Sequence, residues 1–226
     1  MYPVKERVKA LNASTTEKAI RRRNNTKAAS SSVTALLELL GFADPFARPS
    51  NLEINLIVLP DTIRLLGDID RLRVIKNEYF EEIHPWMPVI SKSLLSQTLS
   101  KSRTEPRADL VLLLLCMKLI VAKPTSSQMG GMRSPLYSAC KTLNRNIAAL
   151  GRYSTNFLQA GLLITLYELG HAIYPEAEGS VTRNAELGLK LGLNNASNRT
   201  MNLPPGSWAE DEERGRTWWG IVMLDR

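Results

Sequence analysis

The stretch LVLLLLCMKLIVA, from Leu110 to Ala122, decides the fold. It is 13 residues long and interrupted by one charge, Lys118. A bilayer span needs about 20 apolar residues, so this run is too short to cross a membrane. A segment apolar nearly all round has to be covered by its neighbours, so the spacing predicts a buried central helix over Arg107 to Ala122. The composition agrees. Hydrophobic residues make up 44% but aromatics only 6%, the rest being mostly Leu, Ile, Val and Ala, which favours helices over a sheet-rich fold.

Helical signals extend on both sides. Towards the N-terminus, Ser91 can cap a short helix through Leu99. Before it, Ile69, Leu72, Ile75, Tyr79 and Ile83 follow three- and four-residue spacing, predicting one helix from Asp61 or Asp68 to about His84. Pro85 and Pro88 then stop it, because each removes a donor and restricts its predecessor. Towards the C-terminus, Pro124 and SSQMGGMRS form a loop, and Ser134 followed by Pro135 opens a helix to about Leu150. From Thr155 to Ile173, Leu158, Leu162, Thr165, Leu166 and Leu169 make a stripe, with Ala160 and Gly161 allowing a neighbour close. A further helix is expected from Glu176 to Leu191 with Gly192 at its end. There Leu187, Leu189, Leu191 and Leu193 alternate with period two, as in a strand; the helical neighbours decide for helix. After a polar loop to Gly206, Ser207 opens a last helix, helped by Glu210, Asp211, Glu212 and Glu213 in its first turns. The expected fold is all-α, an irregular multi-helix bundle. Trp218, Trp219, Ile221, Val222 and Leu224 run apolar to the last residues, so the bundle is expected to be C-terminally incomplete.

Charge divides the chain. Of the net +7, residues 1–27 carry +6 and the remainder only +1. Residues 1–32 read as a basic flexible arm, residues 33–59 as a linker or short helix left open, and residues 60–226 as the domain. Phosphate contacts need clustered Lys and Arg, so a nearly neutral body argues against a nucleic-acid face on the bundle. Lys18, Arg21, Arg22, Arg23 and Lys27 fit a nuclear import signal, with a solvated basic tail and a mitochondrial presequence as the other readings. Two cysteines, Cys116 and Cys140, are too few for a disulfide framework, and no C-x-x-C occurs.

Three segments carry a resemblance. YFEEIHPWMPVISKSLL, Tyr79 to Leu95, holds His84, Pro85, Trp86 and Pro88. RNAELGLKLGLN, Arg183 to Asn194, holds Gly188, Leu191, Gly192 and Leu193. EDEERGRTWWGIVMLDR, Glu210 to Arg226, holds Glu213, Arg214, Arg216, Trp218, Trp219, Asp225 and Arg226. In this order they resemble the fungal-specific transcription factor domain, the middle homology region of fungal zinc-cluster transcription factors. The resemblance implies an all-α regulatory domain acting in the nucleus, behind a six-cysteine zinc cluster that reads DNA. No such cluster can be built from this sequence, so the zinc cofactor and DNA contact would belong to a module outside it. A homodimer, a regulatory protein and a small-molecule effector are the partner classes implied, and a membrane is not.

Other readings are weaker. Glu81-x-x-His84 and Glu168-x-x-His171 have the spacing of a helical di-metal site. The two further helix-borne glutamates that site needs are not available: between the motifs lie only Glu105 and Asp109. Neither cysteine has a catalytic partner by motif, and no nucleophile elbow or phosphate loop occurs. Glu213 or Glu212 can pair with Arg216 across one turn. No catalytic, metal-binding or DNA-binding residue is assigned, and no enzyme activity is expected. A helical ligand-binding or protein-interaction module is the alternative.

Overall fold

The computed structural model describes residues 60–101, 107–123, 133–151, 153–195 and 208–225. These form eight α-helices and one short 3-10 turn, with no strand among the described residues. In chain order they are α1 (Pro60–Leu66), α2 (Ile69–Glu82), α3 (Lys92–Lys101), α4 (Ala108–Val121), α5 (Pro135–Ala149), α6 (Thr155–Gly170), α7 (Tyr174–Lys190), the turn Leu193–Asn195, and α8 (Trp208–Leu224). The fold is all-α.

Helix α4 is the hub. Every residue from Leu110 to Met117 is completely buried, because α1, α2, α5 and α6 surround it. Each such side chain contributes about 1.5–3 kcal/mol relative to exposure. Lys118, its one charge, reaches out and donates from Nζ to the carbonyl of Leu65. That carbonyl lies in the last turn of α1, where helix oxygens lack internal partners, so the lysine caps one helix while its stem packs on another. Helix α6 lies against α4 on one side and α7 and α8 on the other. It is buried from Phe157 to Thr165 and again at Tyr167 and Glu168. The expected single stripe is therefore too narrow: two layers cover α6, while Leu166 and Leu169 are only half-buried.

The caps follow from side-chain chemistry. Asp68 accepts from Arg71 N at 2.8 Å, Ser134 from Tyr137 N at 3.1 Å, and Ser154 from Phe157 N at 3.1 Å. Each satisfies an orphan donor of a first turn. The structure settles three points. Of the two starts offered for the helix to about His84, Asp68 is the cap; Asp61 lies in the separate helix α1, cut off at Gly67, whose φ of +92° no helix accommodates. Helix α7 starts at Tyr174 rather than Glu176, because Pro175 fits its first turn, where the missing N–H is not needed. The alternating leucines are helical: Leu187 and Leu193 are buried, Leu189 is 55% exposed, and Gly192 ends α7 at φ +66°. The arm, with Lys18, Arg21, Arg22, Arg23 and Lys27, the linker at 33–59, the Ser207 cap and Arg226 lie outside the described residues.

Candidate functional site at the junction of three segments

The three segments far apart in sequence meet along α8. After α2 the chain turns at Ile83, held by Trp86 N to Ile83 O at 3.2 Å and Met87 N to Ile83 O at 3.0 Å. The turn sorts its residues: Pro85, Trp86 and Pro88 face outward, while Met87, Val89 and Ile90 are buried. Trp86 stays fixed by donating from Nε1 to Glu82 O at 2.9 Å. Helix α8 buries Glu213, Thr217, Gly220 and Ile221. Gly220 is where the turn arrives. A Cβ there would meet Val89 Cγ1 at 2.8 Å and Leu162 Cδ1 at 3.3 Å.

Polar contacts complete this junction. Ser91 N donates to Glu213 Oε1 at 2.6 Å. Gln159, completely buried on α6, donates from Nε2 to Val89 O at 2.7 Å and lies 3.4 Å from Thr217 Oγ1. On the other side of α8, Gly188 faces Ile221 and Trp218; a Cβ there would lie 2.8 Å from Ile221 Cδ1. Arg214 donates from Nη2 to Leu191 O at 2.7 Å, closing the end of α7. Leu193 is buried beside it. Of the residues singled out in sequence, Gly188, Leu193 and Glu213 are buried; His84, Leu191, Gly192, Arg214, Arg216 and Trp218 are half-buried; Pro85, Trp86, Pro88, Trp219 and Asp225 are exposed.

The junction is electrostatically tuned. Burial raises the Glu213 carboxyl above the ordinary glutamate value, and the Ser91 amide, Gln159 and Arg216 pull it partly back. Burial, and then the Glu213 charge, raises the Tyr79 phenol. Burial, and then Arg216, lowers His84. Glu212, at 4.0 Å from Arg216 Nε, makes the one-turn pair.

A second polar cluster, unforeseen in sequence, joins α5, α6 and α7. Glu168 is fully buried; its Oε1 accepts from Tyr137 OH and from Lys141 Nζ, each at 2.7 Å. Lys141 also reaches Ser180 Oγ at 3.2 Å. Glu168 therefore serves an ion pair rather than His171, whose ring stacks on Tyr167 at 4.0 Å. Glu81 is exposed. Among the described residues no group of three or more His, Cys, Asp or Glu is placed to hold a metal ion. Beside this cluster a cleft lined by Lys141, Asn144, Gly161, Ser180, Arg183 and Asn184 has room of about 10 Å³, enough for one water. Cys116 and Cys140 touch in the core; burial, then Cys140, raises the Cys116 thiol. A buried, protonated thiol is no nucleophile. No helix among the described residues is long and apolar enough to cross a membrane.

Known proteins give this junction a context. Residues 77–226 match the fungal specific transcription factor domain. The chain is 36% identical over 166 residues to transcription factor BOA15 of Botryotinia fuckeliana, covering 72% of this chain and 88% of the relative. It is 30% identical over 152 residues to the ascochitine biosynthesis cluster transcriptional regulator of Didymella fabae, and 26% identical over 159 residues to the pigment biosynthesis transcriptional activator pigB of Monascus ruber. These two alignments cover 65% and 66% of this chain but only 26% and 28% of those longer relatives. No solved structure matches. The matched region contains all three segments that α8 draws together, and the chain belongs to the fungal specific transcription factor domain family.

Proposed function

We propose that this chain is the regulatory domain of a nuclear transcription regulator that controls a set of biosynthetic genes, and that it carries no catalysis. The observation that carries this reading is the family match over residues 77–226, whose three segments converge on α8. Two relatives, named for an ascochitine biosynthesis cluster and for pigment biosynthesis, supply the class of target. The domain's part is mechanical. Contacts from the turn, α6 and α7 all land on α8, so any partner or effector that shifts α8 disturbs every one of them. DNA reading falls to a separate module: both cysteines lie in the core, and the body is almost neutral. Nuclear entry is assigned to Arg21, Arg22 and Arg23 with Lys18 and Lys27.

The test is genetic. Disrupting the gene in its native host, with transcripts sequenced before and after, should show coordinated loss of a biosynthetic gene set. Restoring it with R21A/R22A/R23A should leave the loss in place and the protein outside the nucleus. An unchanged transcriptome on disruption overturns the proposal. The ligand-carrier reading is disfavoured at the cleft near Lys141, which has room for one water.

A further inference from the structure

Helix α8 buries one side and exposes the other. Trp208, Trp219 and Met223 are 65%, 62% and 59% exposed. Positions four, eleven and fifteen residues after Trp208 return to within about 60° of it on a helix of 3.6 residues per turn. So Trp208, Glu212, Trp219 and Met223 share one stripe, about 22 Å long at 1.5 Å per residue. Gly215 lies between them and leaves the backbone low. Asp211 borders the stripe half-buried, with its Oδ2 shut away from solvent; Glu212 is exposed, with a long contact to Arg216 at 4.0 Å. Exposed indoles beside carboxylates are the chemistry that takes guanidinium groups. The plane stacks on the ring, and the N–H fork meets the carboxylate.

We infer that this face of α8 is the docking site for the chain's own basic segment, Lys18 to Lys27. Charge complementarity is the first argument. Residues 1–27 hold +6 of the chain's +7, and Arg21, Arg22 and Arg23 are its densest cations. Reach is the second. Residues 28–59, fully extended, span about 100 Å, against a radius of gyration of about 15 Å for a domain of this size. Linkage is the third. A segment on the same chain meets the face at an effective concentration that separate molecules reach only in the millimolar range. A docked segment is hidden from an import carrier. That consequence rests on the import assignment above, whereas the docking can be tested without it.

The test uses the full chain. A carbodiimide joins lysine amines to carboxylates in direct contact, so the monomer band should yield peptides linking Lys18 or Lys27 to Glu212, in a yield independent of protein concentration. Acrylamide quenching of tryptophan emission gives the second readout. It should rise about twofold in R21E/R22E/R23E, by the same amount in E212R, and likewise at 1 M salt, where screening acts within about 3 Å. Combining the two charge reversals should restore the original quenching. Glu212 is exposed, so an unchanged circular dichroism spectrum is expected throughout. Quenching identical in all forms, or cross-links confined to a dimer band that grows with concentration, would overturn the assignment; the latter would give the face to a second copy.

Discussion

Glu213 shows how one side chain ties the junction to pH. Its carboxyl is buried, accepts from Ser91 N at 2.6 Å, and titrates above the ordinary glutamate value mainly because burial disfavours its charge. The sign follows from linkage. A raised folded value means that the folded state binds the proton more tightly than the unfolded chain does. The stabilisation is complete below the unfolded value near 4.5 and is lost as pH climbs through the raised one. Glu213→Gln keeps an acceptor for Ser91 and removes the charge. It is expected to match or exceed the parent in stability at neutral pH and to flatten the fall in stability above pH 4.5. Glu213→Ala, which strands the Ser91 amide, should cost about 1–3 kcal/mol. Denaturant melts of both variants from pH 4 to 7 decide the matter; a Gln variant with the parent's slope would place the proton elsewhere.

Elements were legible where local chemistry fixes them and opaque where the third dimension does. Ser134, Pro135 and Asp68 announce helix starts because a cap needs only its own next three residues. Gly67 decides between the two starts that the sequence offers, leaving Asp68 to cap the helix to Glu82. Glu168 reads as half of a metal motif. Only the approach of Tyr137 and Lys141 from α5 makes it an ion pair. Gly161 was readable in kind but not in partner: its missing Cβ makes way for Asn184 of α7. Asn184 donates to Thr165 Oγ1 at 2.9 Å, and that hydroxyl donates to Gly161 O at 3.0 Å. Gly161→Ala must push Asn184 aside. Overpacking costs about 1–3 kcal/mol, which outweighs the roughly 1 kcal/mol of helix propensity that alanine adds. Gly179 on α7 has nothing within 4 Å of its missing Cβ, so Gly179→Ala should stabilise by up to about 1 kcal/mol. Thermal melts should show opposite shifts. Equal shifts in the same direction would refute the close α6–α7 approach.

At the scale of the molecule, charge and apolar burial are kept apart. The core around α4 is legible from one 13-residue run, and the segments that meet on α8 are recognisable one by one. Their meeting is not legible, because Ser91 and Glu213 stand 122 residues apart and no local pattern links them. The charge map carries its own prediction. Binding of duplex DNA by this chain should come from residues 1–27 alone, since the remaining residues total +1. Neutralising phosphates releases counterions, so log affinity falls with log salt at about 0.9 per phosphate contacted. The eight Lys and Arg of residues 1–27 cap that count, and a chain making 6–10 such contacts loses about 10³–10⁵ in affinity between 50 and 200 mM salt. Electrophoretic shifts should thus show binding at low salt, equal for unrelated sequences, absent at physiological salt, and absent at any salt after residues 1–27 are removed. Footprinting discriminates further. A sequence-selective footprint that survives both physiological salt and removal of the arm would put base-reading side chains on the helical body, where the charge map leaves no cluster to hold the backbone in register.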